Sequence, residues 1–166
     1  MNLADYIEAI EHFPKPGIVF RDISPLLNEP AAYAHAVTQI ASHWRGRVDA
    51  VVGLDARGFL FGASTAMLLA IPFVMVRKAG KLPGEVVGYS YELEYGSDTI
   101  EMKRDALAPG ARVLVVDDLL ATGGTAAAAC ALIESAGARV AGCAFVIELN
   151  GLGGRAKLGD RSVQSL

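Results

Sequence analysis

The sequence has little of what marks zinc-binding, disulfide-rich or membrane-spanning proteins. Cysteine occurs only at Cys130 and Cys143, without the short paired spacing of a metal site, so both are expected to be small, reduced core residues. No apolar run reaches the roughly 18 residues that a membrane span needs. The first segment, MNLADYIEAIEHF, lacks the charged-then-apolar order of a signal peptide. We therefore expect a cytoplasmic protein that does not bind membranes.

Basic residues are also too few to surround the molecule with a positive field. The formal charge is -3 at pH 7, which argues against nucleic acid as a partner and means that any anion-binding site must be built locally. The chain has 166 residues, of which 52% are hydrophobic, and it shows no internal repeat, low-complexity tract or linker. This composition predicts one folded domain over residues 1–166.

The pattern that remains alternates apolar strands with helices. Buried strands are predicted at VDAVVGLD, IPFVMVRK, ARVLVVDD and RVAGCAFVIEL, and helices at residues 30–44, FLFGASTAMLLA and AAAACALIESAGA, the last ended by Gly137. Residues Val86 to Met102 alternate polar and apolar side chains, which predicts a polar-faced hairpin that leaves the body of the fold. The order favours an α/β fold with a doubly wound, mainly parallel sheet flanked by helices. In such sheets ligands bind beyond the carboxyl ends of the strands.

One predicted strand, in VLVVDDLLATGGT, runs directly into a loop of small residues. A strand, a tight Gly- and Thr-rich loop and a helix start form a phosphate site, because free N–H groups and the positive end of the helix dipole converge there. The candidate phosphate loop comprises Ala121, Thr122, Gly123, Gly124 and Thr125. It lacks the Gly-Lys-Ser/Thr of a Walker A loop, which argues against nucleoside triphosphate hydrolysis.

Two adjacent carboxylates, Asp117 and Asp118, are predicted to be the last residues of this strand. They would repel a phosphate, so we expect them to face another part of the same ligand, where ionised acceptors take hydrogen bonds from vicinal hydroxyl groups. A phosphate at one end and a diol at the other describe ribose 5-phosphate. The alternative is that one aspartate caps the loop and the other is solvated.

Together these residues resemble the phosphoribosyl pyrophosphate motif of the type I phosphoribosyltransferases, and LLATGGT is similar to the version in the adenine-specific members. The resemblance continues in the family's order through FPKPGIVFRDISPLL, GLDARGFLFG, RKAGKLPG and YELEYG, and so covers nearly the whole chain. It implies the type I fold with a flexible β-hairpin flap and a small N-terminal hood, and a homodimer. The activity it implies is transfer of the 5-phosphoribosyl group from phosphoribosyl pyrophosphate to adenine, giving AMP and pyrophosphate in purine salvage.

Phosphoribosyl pyrophosphate carries a second cluster of negative charge, which requires well-placed cations. Arg57 follows one predicted strand, and Lys78 and Lys81 surround the end of another. The resemblance implies that these three residues contact the pyrophosphate, with Mg²⁺ bound through the substrate and no direct protein ligand to the metal. Arg77 is left out because strand alternation favours the opposite face. For Arg57 the alternative is an ion pair with Asp55.

The hairpin has glycine and proline at its base, and we expect it to close over the ligand and exclude water from an oxocarbenium-like ribose centre. In the related 6-oxopurine transferases an aspartate occupies the position of Ala121 and handles the purine proton. This chain has no carboxylate there, and the resemblance assigns that work to Glu94, with Tyr95 beside it, as catalytic residues. The alternative for Glu94 is a solvated hairpin glutamate, like Glu92.

The base site is assigned to GIVFRDIS, which is expected to be a loop opened by two prolines. By resemblance, Val19, Phe20 and Arg21 form the adenine pocket, in which backbone groups read the purine edge. The alternative is that Val19 and Phe20 belong to the core.

Two other functions compete with this reading. One is a transferase for another base, such as xanthine, and the other is a regulator that binds phosphoribosyl pyrophosphate without turnover. Regulators of that kind carry a basic winged helix, which this chain lacks. A last motif, GLGGRA at residues 151–156, fits a dinucleotide-binding pattern, but no long helix can follow it, so we do not expect it to bind a dinucleotide.

Overall fold

A central sheet of seven strands runs through the computed structural model, which describes residues 1–166. A short 3-10 helix, Leu3–Tyr6, comes first. The elements that follow are β1 (Glu8–Glu11), β2 (Val19–Asp22), α1 (Ser24–Asn28), α2 (Pro30–Trp44), β3 (Ala50–Leu54), α3 (Gly58–Leu69), β4 (Phe73–Lys78), β5 (Val86–Glu92), β6 (Ser97–Lys103), β7 (Arg112–Leu120), α4 (Gly124–Ser135), β8 (Arg139–Glu148), α5 (Gly154–Lys157) and β9 (Val163–Ser165). No helix among them combines the length and the apolar character that crossing a bilayer requires.

The strands of the sheet follow the order β5-β6-β4-β3-β7-β8-β9. From β4 to β9 all neighbours are parallel, whereas β5 and β6 form an antiparallel pair at one edge. Every residue of β3 is buried, because helices cover the centre of the sheet on both faces. This arrangement confirms the predicted doubly wound, mainly parallel sheet.

Alternate side chains of β7 enter two separate cores. Val113 and Val115 pack with residues of α4 on one face of the sheet. Leu114 and Val116 pack with residues of α2 and α3 on the other face. Because both faces of the strand are buried, an apolar residue is needed at every position, which explains the unbroken run in the sequence.

The strand β4 is less buried than predicted. Val74 and Val76 lie in the core on the α4 side, but Met75 between them is 42% exposed. The helix α3 lies mainly over β3 and β7, so the middle of β4 stays uncovered on that face. The prediction of a strand is confirmed here, and the prediction that it is wholly buried is wrong.

The helices begin and end as their sequences indicate. Pro30 opens α2, where the Glu29 side chain accepts a hydrogen bond from the Ala31 amide at 3.2 Å. Gly137 follows α4 with a φ of +89°, a left-handed conformation that glycine adopts without strain.

The antiparallel pair β5 and β6 forms the predicted hairpin, in register from Val86 opposite Lys103 to Glu92 opposite Ser97. Its base does not leave the fold, because β6 also pairs with the end of β4, where Lys78 lies opposite Ile100. Only the tip, residues 93–96, lies beyond the paired residues. The hairpin is therefore a continuation of the sheet edge with a free end.

The N-terminal hood is the pair β1 and β2, antiparallel with Glu8 opposite Asp22. GIVFRDIS was expected to be a loop, and this is wrong for Val19–Asp22. A β-branched residue followed by an aromatic residue favours a strand, and both residues pair with β1.

Candidate active site

The carboxyl edge of the sheet contains a cavity of about 230 Å³ beside β7. Its lining consists of Arg57 and the continuous segment from Asp117 to Ala126. The fold thus brings the predicted phosphate loop and both aspartates to one site. One boundary was wrong: β7 continues through the aspartates to Leu120, because this stretch still pairs with β8.

The phosphate loop turns on Gly123, which has a φ of +82° and lies at the N-cap of α4. A Cβ atom at this position would lie 2.7 Å from the Gly154 carbonyl oxygen, so only glycine fits. The hydroxyl-bearing residues Thr122 and Thr125 are exposed on either side of it. The loop therefore presents two hydroxyl groups next to the N-terminus of a 12-residue helix, which suits an anion.

Glycine is equally required on the other side of this contact. A Cβ atom on Gly154 would overlap the carbonyl oxygen of Ala121 and crowd the Leu120 side chain. The GLGGRA segment thus packs directly against the phosphate loop, a structural role that the sequence did not predict. No pattern in the sequence alone marks it, since the contact joins elements about 30 residues apart.

Asp118 is paired with Arg57 inside the cavity. The Arg57 Nε donates to Asp118 Oδ2 at 2.5 Å, and Asp118 is only 3% exposed. The alternative pairing of Arg57 with Asp55 is wrong, because Asp55 Oδ2 instead takes Arg77 Nε at 3.2 Å and Lys81 Nζ at 3.6 Å. Arg57 therefore contacts the predicted ribose site directly.

Asp117 has a different environment from its neighbour. It is half-buried, and its Oδ1 accepts the backbone N–H of Asp118 at 2.8 Å. Burial, followed by the adjacent charge of Asp118, raises the pKa of Asp117 well above its ordinary value. The pair thus consists of two unlike groups: an arginine-paired carboxylate and a carboxyl group whose pKa is raised.

The other two predicted pyrophosphate residues lie outside the cavity lining. Lys78, at the end of β4, contacts Asp98 of the hairpin, and this hydrogen bond lowers the pKa of Asp98 and raises the pKa of Lys78. Lys81 shares Asp55 with Arg77. All three predicted pyrophosphate cations thus already have a carboxylate partner.

The predicted base site also contacts Arg57. The Arg57 guanidinium stands over the Phe20 ring, 5.0 Å from its centroid. Phe13 meets Phe20 edge to face at 5.2 Å, and both line a second hollow with Ile10 and Asp22. The side chain of Arg57 thereby connects the aspartate pair to an aromatic hollow in the hood.

The remaining predicted base-site residues flank Phe20 on β2. Val19 is 46% exposed, so it is not a core residue, and Phe20 is half-buried. Arg21 is half-buried opposite Ala9. The alternative that Val19 and Phe20 are merely core does not hold for Val19.

The predicted catalytic pair lies at the tip of the hairpin. Glu94 is exposed and Tyr95 is 89% exposed, and neither lines the cavity. In this conformation the structure does not bring them to the aspartates. Their catalytic role stays a prediction that requires the tip to move.

Comparison with known proteins agrees with this geometry. A family model described as the phosphoribosyl transferase domain matches residues 22–164. The curated adenine phosphoribosyltransferase of Streptococcus uberis is 55% identical over 161 residues, which is 96% of this chain and 94% of that protein.

Solved structures give the same result. The adenine phosphoribosyltransferase of Thermoanaerobacter pseudethanolicus superposes with a TM-score of 0.95 at 46% identity, covering 99% of this chain and 98% of that one. The Saccharomyces cerevisiae enzyme, solved with an imino-altritol bisphosphate and adenine, has a TM-score of 0.90 at 40% identity and covers 99% of this chain and 94% of its own. The chain therefore belongs to the phosphoribosyltransferase family.

Proposed function

We propose that this site transfers the 5-phosphoribosyl group from phosphoribosyl pyrophosphate to adenine, giving AMP and pyrophosphate. The observation that carries this conclusion is the single cavity shared by a glycine-turned phosphate loop and an aspartate pair. The similarity of this chain to adenine phosphoribosyltransferases, in sequence and in structure over nearly its full length, supports adenine as the acceptor. The product is a purine nucleotide formed from a free base, which is a salvage reaction.

The sugar is held at two points. Backbone N–H groups of the loop from Ala121 to Thr125 and the hydroxyls of Thr122 and Thr125 bind the 5'-phosphate. The helix dipole adds only about 0.3–1 kcal/mol, so these donors supply most of the binding. Asp117 and Asp118 take the ribose diol, and the two carboxyl groups fix the sugar for reaction at its anomeric carbon.

The pyrophosphate is assigned to Arg57, Lys78 and Lys81. The chain carries no group of three or more His, Cys, Asp or Glu side chains able to hold a metal ion. We assign Mg²⁺ to the substrate: held by oxygens of phosphoribosyl pyrophosphate, it would neutralise charge on the departing pyrophosphate. The cations of the protein supply the same kind of stabilisation from fixed positions.

Adenine is assigned to the hood. Phe20 provides an aromatic face, and β2 residues from Val19 to Arg21 provide backbone groups along one edge of the base. Glu94 takes the proton from the adenine nitrogen as the bond to the sugar forms, with Tyr95 beside it. Since both residues are exposed at a free hairpin tip, this step requires the hairpin to close, which also excludes water.

The assembly and location follow as parts of the same proposal. A second copy of this chain covers the apolar face made by α3 and β4, where the exposed large side chains are Leu60, Met67, Leu68 and Met75. We also propose a cytoplasmic location, where the two buried cysteines, whose sulfur atoms lie 3.7 Å apart, would stay reduced.

The experiment is a product assay with phosphoribosyl pyrophosphate, Mg²⁺ and four radiolabelled purines side by side: adenine, guanine, hypoxanthine and xanthine. We expect AMP as the principal product. Binding of phosphoribosyl pyrophosphate without nucleotide formation from any base would overturn the proposal in favour of a regulator. Preferential conversion of another purine would assign a different acceptor.

A further inference from the structure

A continuous set of side-chain contacts joins the two phosphate-binding ends of the site through the hairpin. Lys78 contacts Asp98, the Tyr91 hydroxyl lies 3.5 Å from Asp98 Oδ2, and the same hydroxyl lies 3.2 Å from Thr125 Oγ1. The terminal members, Lys78 and Thr125, are the residues assigned above to the pyrophosphate and the 5'-phosphate. The two middle members have no assigned role. We call the set of four the hairpin bridge.

The hairpin fixes the two middle members in place. Tyr91 and Asp98 are directly opposite each other in the β5–β6 register. The second carboxylate oxygen of Asp98 accepts the backbone N–H of Thr99 at 2.9 Å. Tyr91 also packs against the core on the α4 side of the sheet. The bridge is therefore built on paired strands and does not depend on the free tip.

Asp98 has the charge and position of a competing anion. Its side chain is 22% exposed, against 50% for Lys78, so the carboxylate is the more enclosed partner. The hydrogen bond from Lys78 lowers its pKa, so it remains ionised at neutral pH. A carboxylate that engages an ammonium group uses the donors that a phosphate oxygen would otherwise take.

We propose that Asp98 is an internal substitute for the pyrophosphate: it occupies Lys78 in the free protein, and the incoming ligand must displace it. Tyr91 contacts the Thr125 hydroxyl in the same manner, and the incoming 5'-phosphate must displace it. This inference rests on the proposed function, because it needs Lys78 to bind the pyrophosphate. It makes Asp98 a residue that weakens ligand affinity, and it couples displacement of the Asp98 and Tyr91 side chains to filling of the site.

The test measures the dissociation constant of pyrophosphate by titration calorimetry in Mg²⁺ and compares full-length variants with the wild-type protein. Asp98→Asn keeps the size and the acceptor oxygen but removes the charge, and it is expected to bind pyrophosphate about two- to fivefold more tightly, the range set by an exposed ion pair. Glu92→Gln is the matched control, since it removes the same charge from the same hairpin without a cation partner. Its dissociation constant should stay close to that of the wild type.

Competition has a further signature. In a Lys78→Met background, Asp98→Asn should change the dissociation constant no more than Glu92→Gln does, because no ammonium group is left to release. An unchanged or weaker affinity of Asp98→Asn in the wild-type background would overturn the inference while leaving the proposed function intact. Failure of the wild-type protein to bind pyrophosphate or phosphoribosyl pyrophosphate at all would overturn both.

Discussion

The backbone of Gly154 lies so close to the Ala121 carbonyl group that no side chain fits between them. This contact holds the phosphate loop against the start of α5. Because a Cβ on Gly123 would likewise collide with the Gly154 carbonyl oxygen, the two glycines form one close-packed junction. The geometry of the loop thus depends on a segment that contacts no part of the proposed substrate.

Gly154→Ala should therefore weaken 5'-phosphate binding without removing any group that touches the ligand. Overpacking of this kind costs about 1–3 kcal/mol, and we expect both a lower free energy of unfolding and weaker binding of ribose 5-phosphate. Urea unfolding and titration calorimetry measure the two effects. Gly124→Ala is the control for stability, since a Cβ there meets open space. Equal stability of the two variants would contradict the junction.

Arg57→Met should lower kcat/KM for phosphoribosyl pyrophosphate by about a hundred- to a thousandfold, the loss expected for one electrostatic donor at a reacting centre. The variant also leaves Asp118 buried without its cation. Arg77→Met is the matched control, because Arg77 contacts Asp55 and lies outside the cavity. Steady-state kinetics with varied sugar substrate separate the two, and similar losses in both variants would argue against a special role for Arg57.

Glu94→Gln should reduce kcat by about a hundredfold or more, the usual contribution of a general base, with little change in KM for adenine. Glu92→Gln removes the same charge two residues away and should retain activity. The comparison is made at saturating concentrations of both substrates. If the two variants keep equal activity, the base lies elsewhere and Glu94 is a solvated hairpin residue.

Asp117 gives a prediction for the pH dependence of stability. Its folded pKa is raised, so its contribution to folding is fully present below the unfolded pKa of about 3.9 and is lost as pH rises toward the folded pKa. Asp117→Asn removes this loss. Its free energy of unfolding should therefore increase relative to the wild type from pH 4 upward, by up to about 1.4 kcal/mol per pH unit. Urea unfolding across this range would contradict the assignment if the difference stayed constant.

Met67→Lys tests the proposed dimer. Met67 is 74% exposed in the single chain, and a charge there would have to be desolvated in an apolar interface. Sedimentation of the wild type should give a dimer and that of the variant a monomer of unchanged secondary structure. A wild type that sediments as a monomer would remove the second copy from the proposal.

The sequence predicted most of the fold because apolar periodicity and helix-ending glycines are local signals. It also predicted the aspartate pair and the phosphate loop, which are consecutive in the chain. It did not predict which carboxylate would pair with Arg57, since Asp55 is nearer in sequence but Asp118 is nearer in space. Packing between distant segments, such as Gly154 on Ala121, leaves no periodic trace, and the strand at Val19–Asp22 was hidden by the prolines that precede it.

The extension of β7 through Asp117 and Asp118 has a mechanical consequence. Their backbone belongs to a strand that pairs with β8 as far as Leu120, so the two carboxyl groups share the stiffness of the middle of the sheet. Glu94, by contrast, lies in the exposed turn between β5 and β6. In the proposed mechanism the sugar stays in place and the proton acceptor moves to it, so mutations that loosen the turn should slow turnover without weakening sugar binding.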